Sequence, residues 1–349
     1  MKVTINGMRC EAKPGQTILD VARAHGIYIP TLCYHEKIGA LAKCRVCVVE
    51  VRGTQGLVTS CSTPIAEDME IISNSPRVIE AQRFVVDLAL SSGNHDCLTC
   101  EKNGGCELQD AAYFLKFEDK DFRKQGYPPH FDDSSAFIRM DYTRCIMCER
   151  CVKACNHVVV NRVINIMNRG YASQIGFDDN IPMGESSCVQ CGECTQVCPV
   201  GALINKKSIG QARTWEVEKV RTTCPYCGVG CQMNLHVKGD KITKVTGIEN
   251  GLPNKGRLCV KGRYGYDFIY SEDRLTAPLI KENGSFREAS WDEALDMVAN
   301  KFKEIIANDG ANAIAGVSCA RSTNEDSYQM QKLFRSVLKT NNIDHCART

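Results

Sequence analysis

Near its start, the chain changes from the apolar spacing of a strand to that of a helix. Apolar residues at positions 3, 5 and 8 flank Asn6-Gly7, a typical turn of a β-hairpin. Thr17 is a suitable N-cap for a short helix with the apolar residues Ile18, Leu19, Val21 and Ala22. Residues 47–51 then read Cys-Val-Val-Glu-Val, which is typical of a strand. A hairpin, a helix and a strand in this order predict a small β-grasp domain over residues 1–78.

Helical spacing of apolar residues returns in the last segment, residues 276–349. Ser290 and Glu293 form a capping box, and the helix that follows has one apolar face: Trp291, Leu295, Val298, Phe302, Ile305 and Ile306. Residues 313–317 predict a short buried strand, and residues 325–339 predict a second helix with Met330, Leu333, Phe334, Val337 and Leu338 inward. This order predicts the beginning of an α/β layer. Because one strand and two helices cannot close a core, we expect the segment to be incomplete.

The composition narrows the class of protein. The 43 Lys and Arg residues against 41 Asp and Glu leave a net charge of +2, which argues against a nucleic-acid-binding surface. No apolar run reaches membrane-spanning length, and the N-terminus has no apolar signal region. We therefore expect a cytoplasmic protein that binds neither membrane nor nucleic acid. In a reducing cytosol, the 22 cysteines indicate metal sites rather than disulfides.

Nineteen of the 22 cysteines fall into five regularly spaced groups. The first set is Cys33, Cys44, Cys47 and Cys61, spaced C-x10-C-x2-C-x13-C. Four thiolates with one close pair suit a [2Fe–2S] centre, and a four-cysteine zinc site is the alternative. The stretches LCYHEKIG and CRVCVVEV resemble the [2Fe–2S] domain of the large iron–sulfur subunit of respiratory complex I and of iron hydrogenases.

The second set lies in residues 79–118 and comprises His95, Cys97, Cys100 and Cys106. It resembles the [4Fe–4S] motif of the same families, which uses one histidine and three cysteines. In those families the histidine lies four residues before the first cysteine, but Gly93 stands there in this chain and His95 is two before. Either His95 is the fourth ligand or another group takes that place.

Residues 136–208 contain the pattern C-x2-C-x2-C-x3-C twice. This spacing is typical of two-cluster ferredoxins, in which the fourth cysteine of each run serves the other cluster. The third set is therefore Cys145, Cys148, Cys151 and Cys198, and the fourth set is Cys188, Cys191, Cys194 and Cys155. Each set predicts a [4Fe–4S] cluster, because tight turns direct three thiolates and several backbone N–H groups to one point.

The fifth set, in residues 217–275, comprises Cys224, Cys227, Cys231 and Cys259. The stretches TTCPYCGVGC and KGRLCVKGRYGYDFI resemble the N-terminal [4Fe–4S] domain of molybdenum or tungsten bis-pterin oxidoreductases. The resemblance implies that Lys261 lies between this cluster and a pterin and helps electron transfer electrostatically. A surface lysine beside Arg263 is the alternative.

The final stretch, SCARSTNEDSYQMQKLFRSVLKTNNIDHCART, is similar to the sequence just before the metal-binding residue of formate dehydrogenases. In that family the next residues are a selenocysteine or cysteine, which binds Mo or W, and a histidine. Cys346 falls four positions too early for this role. We expect the ligand directly after Thr349, and we expect codon 350 to be a UGA codon for selenocysteine; a chain simply truncated at this point is the alternative.

Taken along the chain, the resemblance implies an α+β multi-domain iron–sulfur protein, the electron-transfer part of a cytoplasmic formate dehydrogenase. Formate and CO2 would be interconverted at Mo or W held by two pterin guanine dinucleotides, and one [2Fe–2S] and four [4Fe–4S] clusters would relay electrons to a partner. Because the chain has no G-x-G-x-x-G fingerprint, any nicotinamide or flavin site would lie on a flavin, iron–sulfur or hydrogenase subunit that reacts with NAD(P) or ferredoxin. Two alternatives are a complex I-type large subunit, which normally lacks the tandem cysteine runs, and a stand-alone electron-transfer protein.

Overall fold

The computed structural model describes residues 1–117 and 130–347. The described residues form a series of small units in which helices and sheets are mixed. The end of the expected second domain, residue 118, and the terminal Thr349 lie outside the described residues.

The first unit is a five-stranded sheet crossed by one helix. Its elements are β1 (Lys2–Ile5), β2 (Met8–Glu11), α1 (Ile18–Ala24), β3 (Val48–Val51), β4 (Leu57–Thr59) and β5 (Glu70–Ile72), with strand order β2-β1-β5-β3-β4. The hairpin turns at Asn6 and Gly7, which both have positive φ. Thr17 and Asp20 form a capping box on α1. The parallel pairing of β1 with β5 completes the β-grasp arrangement expected from the hairpin, helix and strand pattern.

Two helices follow, α2 (Pro76–Ser91) and α3 (Glu107–Phe114). Ser75 caps α2, and Pro76 stands at its first position, where a missing N–H costs nothing. The cysteines of the second set lie between the two helices.

The segment with the tandem cysteine runs contains two small sheets and two short helices. Its elements are β6 (Phe131–Asp132), β7 (Ile138–Asp141), α4 (Arg150–Lys153), β8 (Ile164–Met167), β9 (Gln174–Phe177), α5 (Glu193–Val197) and β10 (Leu203–Asn205). A π-helical turn, Ala154–Val159, extends α4. The main hydrophobic core joins this segment to its neighbours, since it includes Leu32, Val86, Leu108, Phe177 and Tyr264.

The next unit is the antiparallel sheet β11 (Glu218–Thr223), β12 (Gln232–Lys238) and β13 (Lys241–Gly247), followed by α6 (Val260–Tyr264). β12 and β13 form a hairpin that turns at Gly239, which has φ +58°. The side chain of Tyr264 stacks on Phe137, with ring centroids 4.7 Å apart, so α6 packs on the tandem-run segment.

The last segment differs from the expectation in three ways. It contains β14 (Leu279–Glu282), β15 (Ser285–Glu288), α7 (Trp291–Asp309), β16 (Gly316–Ser318), α8 (Asn324–Lys332), extended by a π-helical turn Leu333–Leu338, and β17 (Ile343–His345). The sequence predicted one strand, but the segment has four: β14 pairs antiparallel with β15, and β16 pairs in parallel with β17. Ile314 is buried, but Val317 is 74% exposed, because only the first residues of this region face the small core. Leu333 and Val337, expected inward, are exposed, as are Trp291, Leu295 and Val298 on α7.

Candidate metal centres

The first set lies in the loop before β3 and at the end of β4. Cys33, Cys47 and Cys61 are each 1% exposed, and the backbone N–H of Cys44 donates to the sulfur of Cys33 at 3.5 Å. A hydrogen bond from Cys44 lowers the pKa of Cys33 to about 5, and one from Cys61 lowers the pKa of Cys47 to about 7. The charges of Cys33 and Cys44 also act on Cys61, so all four thiols are neighbours.

The second set lines one small cavity of about 30 Å³, which His95, Cys97, Cys100 and Cys106 share. Burial raises the pKa of Cys106 to about 11. A side chain at position 93, where the related families have histidine, would overlap the carbonyl oxygen of Thr143. The same oxygen accepts a hydrogen bond from the backbone N–H of Asn94 at 2.7 Å. The backbone therefore has no room for a histidine at 93, and the structure places His95 beside the cysteines instead.

The tandem runs share one backbone conformation. Met147 and Gln190, each directly before the second cysteine of its run, both have φ +50°. Glu149 and Gly192, two residues before the third cysteine, have φ +64° and +73°. Successive turns of this kind point N–H groups toward one side, which suits the sulfurs of a bound cluster.

The fourth thiol of each run lies with the first three thiols of the other run. Cys198 acts electrostatically on Cys145, Cys148 and Cys151, and these four line one cavity. Cys155 acts in the same way on Cys188, Cys191 and Cys194. Burial is the main effect in both groups and raises the pKa of Cys145 to about 12. The two sets adjoin, because Cys194 also acts on Cys151.

The fifth set lies between β11 and α6. Cys231 accepts a backbone hydrogen bond from Cys224 at 2.8 Å, and Cys224, Cys227 and Cys259 all act on the thiol of Cys231. Cys259 is the N-cap of α6, and an added Cβ at Gly262 would lie 3.3 Å from the sulfur of Cys224. Lys261 is exposed on the same helix. Across the described residues, no three Cys, His, Asp or Glu side chains are arranged to hold a single metal ion.

Buried charges that the sequence pattern did not predict connect the sets. Arg263 on α6 donates from Nε to the carbonyl of Cys191 at 2.8 Å, and its guanidinium lies 3.6 Å from Glu193. Lys37, near the first set, lies 2.7 Å from Glu193 and 3.0 Å from Glu249. The buried Arg150 also forms an ion pair, with Glu107, whose side chain is 41% exposed. One signal was available in the sequence, because Arg150 and Glu193 occupy the same place, directly before the third cysteine of each run.

Family models match the chain in five consecutive segments. Residues 1–76 match a 2Fe-2S iron-sulfur cluster binding domain, residues 82–121 the NADH-ubiquinone oxidoreductase-G iron-sulfur binding region, and residues 135–204 the NADH-quinone oxidoreductase subunit 3 ferredoxin-like domain. Residues 217–271 match the molybdopterin oxidoreductase Fe4S4 domain, and residues 274–349 match molybdopterin oxidoreductase. The chain is of the molybdopterin oxidoreductase type over residues 217–349. Its front domains are of the NADH-quinone oxidoreductase G type.

Two curated relatives cover essentially the whole chain. The chain is 37% identical to an NADH-quinone oxidoreductase subunit of Rhizobium meliloti, over 100% of this chain and 40% of that protein. It is 33% identical to a protein of Staphylococcus aureus named "Putative formate dehydrogenase", over 99% of this chain and 39% of that protein. The chain thus spans about 40% of the length of these curated relatives.

A solved structure of an NAD+-reducing [NiFe]-hydrogenase in the H2-reduced state is also similar. The TM-score is 0.56 at 31% identity, and the match covers 60% of this chain and 89% of the hydrogenase chain. The ferredoxin-like segment of the chain matches a model named for an NADH-quinone oxidoreductase subunit. The tandem runs therefore do not by themselves separate a formate dehydrogenase from a complex I-type subunit.

The residues present suit iron–sulfur clusters. The donor groups are mostly thiols that are buried or half-buried, and thiols bind such clusters as thiolates. The Nε atom of Arg150 is buried and has no hydrogen-bond acceptor among the described residues, and it belongs to a side chain beside the third set. No helix in the described part of the chain is long and apolar enough to cross a membrane.

Proposed function

We propose that this chain is the electron-transfer portion of a formate dehydrogenase, or CO2 reductase, subunit. The proposed reaction is the reversible oxidation of formate to CO2 at Mo or W held by two molybdopterin guanine dinucleotides. The observation that carries the proposal is the packing of the fifth set, through α6, against the fourth set in a molybdopterin oxidoreductase. The Staphylococcus aureus relative supports formate as the substrate.

The proposed cofactors are one [2Fe–2S] cluster, held by the first set, and four [4Fe–4S] clusters, held by the other four sets. His95 is the proposed fourth ligand of the second set. When bound, such clusters accept and release single electrons, which allows a two-electron reaction to be matched to one-electron carriers. The protein residues hold neighbouring sets at fixed positions: Arg263 joins α6 to Cys191, and Glu107 joins the second set to Arg150.

Lys261 is the proposed relay residue between the fifth set and the pterin. It stands two positions after Cys259, the N-cap of α6, and both residues are exposed. An ammonium there would stabilise negative charge at the neighbouring group.

The proposed partners are formate or CO2 and a subunit carrying flavin, iron–sulfur or hydrogenase chemistry, with NAD(P) or ferredoxin as the eventual carrier. The names of the Rhizobium relative and of the hydrogenase structure contain NADH and NAD+, and they support NAD(P) as the carrier. A cytoplasmic location stays a prediction from the sequence. Selenocysteine as the Mo or W ligand also stays a prediction.

A complex I-type large subunit is the second candidate function. It is favoured by the identity to the Rhizobium protein, which is slightly higher than the identity to the Staphylococcus protein, and by the two central family models.

Metal and pterin analysis of the purified native protein, together with formate-dependent reduction of a viologen dye, separates the two functions. A formate dehydrogenase contains Mo or W with pterin, about 18 iron atoms per chain from one two-iron and four four-iron centres, and reduces the dye only with formate. Iron without Mo, W or pterin, and no dye reduction, would refute the proposal and favour the complex I-type function.

A further inference from the structure

Arg150 is a cation that the fold buries almost completely. Its side chain is 1% exposed, and it directly precedes Cys151. A buried guanidinium is stable only when it is paired and hydrogen-bonded. The two terminal nitrogens donate to the two carboxylate oxygens of Glu107, each at 2.5 Å, and Nη1 also donates to the carbonyl of Val197 at 3.3 Å. Within the described residues, the buried Nε has no acceptor, so one donor of this cation remains for another group.

The Arg150–Glu107 pair lies where three of the cysteine sets meet. Arg150 interacts electrostatically with Cys148 and Cys198 of the third set. Its charge also acts on Cys33 of the first set, beside the larger effect of the hydrogen bond from Cys44. Glu107 directly follows Cys106 of the second set. Its backbone N–H donates to the carbonyl of Pro199 at 2.9 Å, next to Cys198.

The charge of such a residue affects the redox equilibrium of a neighbouring iron–sulfur cluster. Reduction adds one negative charge, and the potential depends on nearby charge, on hydrogen bonds to sulfur and on exposure to solvent. A cation shielded from water stabilises the added charge more than one on the surface, because the surrounding dielectric is low. A carboxylate beside the cation opposes this effect.

We infer that Arg150 is a positioning residue whose buried charge raises the reduction potential of the cluster held by the third set, and that Glu107 limits this increase. The inference rests on the proposed assignment of Cys145, Cys148, Cys151 and Cys198 to one [4Fe–4S] cluster. The effect does not depend on which substrate the full enzyme uses.

The test is a redox titration of the full-length enzyme, poised with dithionite and mediators and followed by electron paramagnetic resonance. The signal that changes in the Cys148→Ser variant is assigned to the cluster of the third set. Arg150→Gln is expected to shift the reduction equilibrium of this cluster about tenfold toward the oxidised form, or about 59 mV for a one-electron couple. Glu107→Gln is expected to shift it in the opposite direction, and Arg150→Lys, which keeps the charge but loses the fork of donors, is expected to fall between native and Arg150→Gln.

The matched control is Arg139→Gln. Arg139 forms a bidentate ion pair with Asp133 in the same segment, at 3.0 and 2.6 Å. Among the described residues, no cysteine is one of the groups that interact electrostatically with Arg139. Native potential in Arg139→Gln with shifts of opposite sign in Arg150→Gln and Glu107→Gln supports the inference. An equal shift in the control, or an unchanged potential in Glu107→Gln, overturns it.

If Arg150→Gln does not retain the cluster, Glu107→Gln and Arg150→Lys decide: native potentials in both assign Arg150 a purely structural role. If Cys148→Ser alters no four-iron signal of the native protein, the ligand assignment and the inference are both refuted. Absence of Mo, W or formate activity refutes the proposed function alone, because the titration uses no formate.

Discussion

Gly192 allows α6 to approach the second cysteine run, and replacing it with alanine tests how closely the two parts pack. Gly192 follows Cys191 with φ +73°. An added Cβ would overlap Cδ of Arg263 and the hydroxyl oxygen of Tyr264, and it would lie 2.7 Å from Nε of Arg263. Both side chains belong to α6 and are buried, so these side chains or the helix itself would have to shift away from the fourth set.

The cost has two parts that a control separates. A non-glycine residue in the left-handed conformation costs about 1–2 kcal/mol, and overpacking of a well-filled site costs about 1–3 kcal/mol more. Gly210 has nearly the same φ, +72°, but an added Cβ there meets nothing within 4 Å. Gly210→Ala is therefore expected to show only the conformational cost, and Gly192→Ala both costs.

The assay is the rate at which iron is released to a colorimetric chelator at a fixed elevated temperature. A rate is preferable to an equilibrium midpoint, because multi-domain metal proteins do not unfold in two states. At 1.36 kcal/mol per tenfold change in rate, Gly192→Ala is expected to release iron about 5 to 150 times faster than Gly210→Ala. Equal rates in the two variants would refute the close packing of α6 against Gly192.

Four further variants test other parts of the structure. His95→Ala should lower the iron content by about four atoms per chain; an unchanged content would exclude His95 as a ligand. Cys198→Ser should remove the paramagnetic signal of the cluster on the first run, and loss of the other signal instead would contradict crossed ligation. Lys37→Met leaves the buried Glu193 with only a 3.6 Å contact to an arginine and should cost about 3 kcal/mol; unchanged resistance to limited proteolysis would contradict this. Burial and two neighbouring lysines lower the pKa of Lys244 from 10.5 to about 8, so the unfolded chain binds more protons between these values and stability should rise with pH across them. Lys244→Met should therefore stabilise the protein near pH 7, by at most about 3 kcal/mol, with a gain that shrinks as the pH rises above 8; a gain independent of pH would be inconsistent with a titrating lysine.

The groups of cysteines could be predicted from spacing because their geometry is local. Cysteines three residues apart are placed by tight turns, and the positive φ values at Met147 and Gln190 recur in both runs. The β-grasp pattern of the first unit is local in the same sense, since Thr17 and the Asn6-Gly7 turn act within a few residues.

The pairs that join the sets were not predictable in this way. Lys37 and Glu193 are 156 positions apart, and Arg150 and Glu107 are 43 apart. Their meeting depends on how separate units pack, and hydrophobic spacing within one element carries no information about that. The second strand of the last layer, β17, was missed for a related reason: its three residues, Ile343–His345, show no clear alternation and are recognised only by pairing with β16.

The sequence by itself predicted five sets of candidate metal-binding residues and their order along the chain, because the spacing of cysteines within each run is a local property. Only the tertiary structure decided that position 93 must be glycine, since the carbonyl of Thr143 occupies the space of a side chain there. It also decided which sets adjoin, and that Arg150 and Arg263 lie between them, because burial and charge pairing arise only when distant segments pack together.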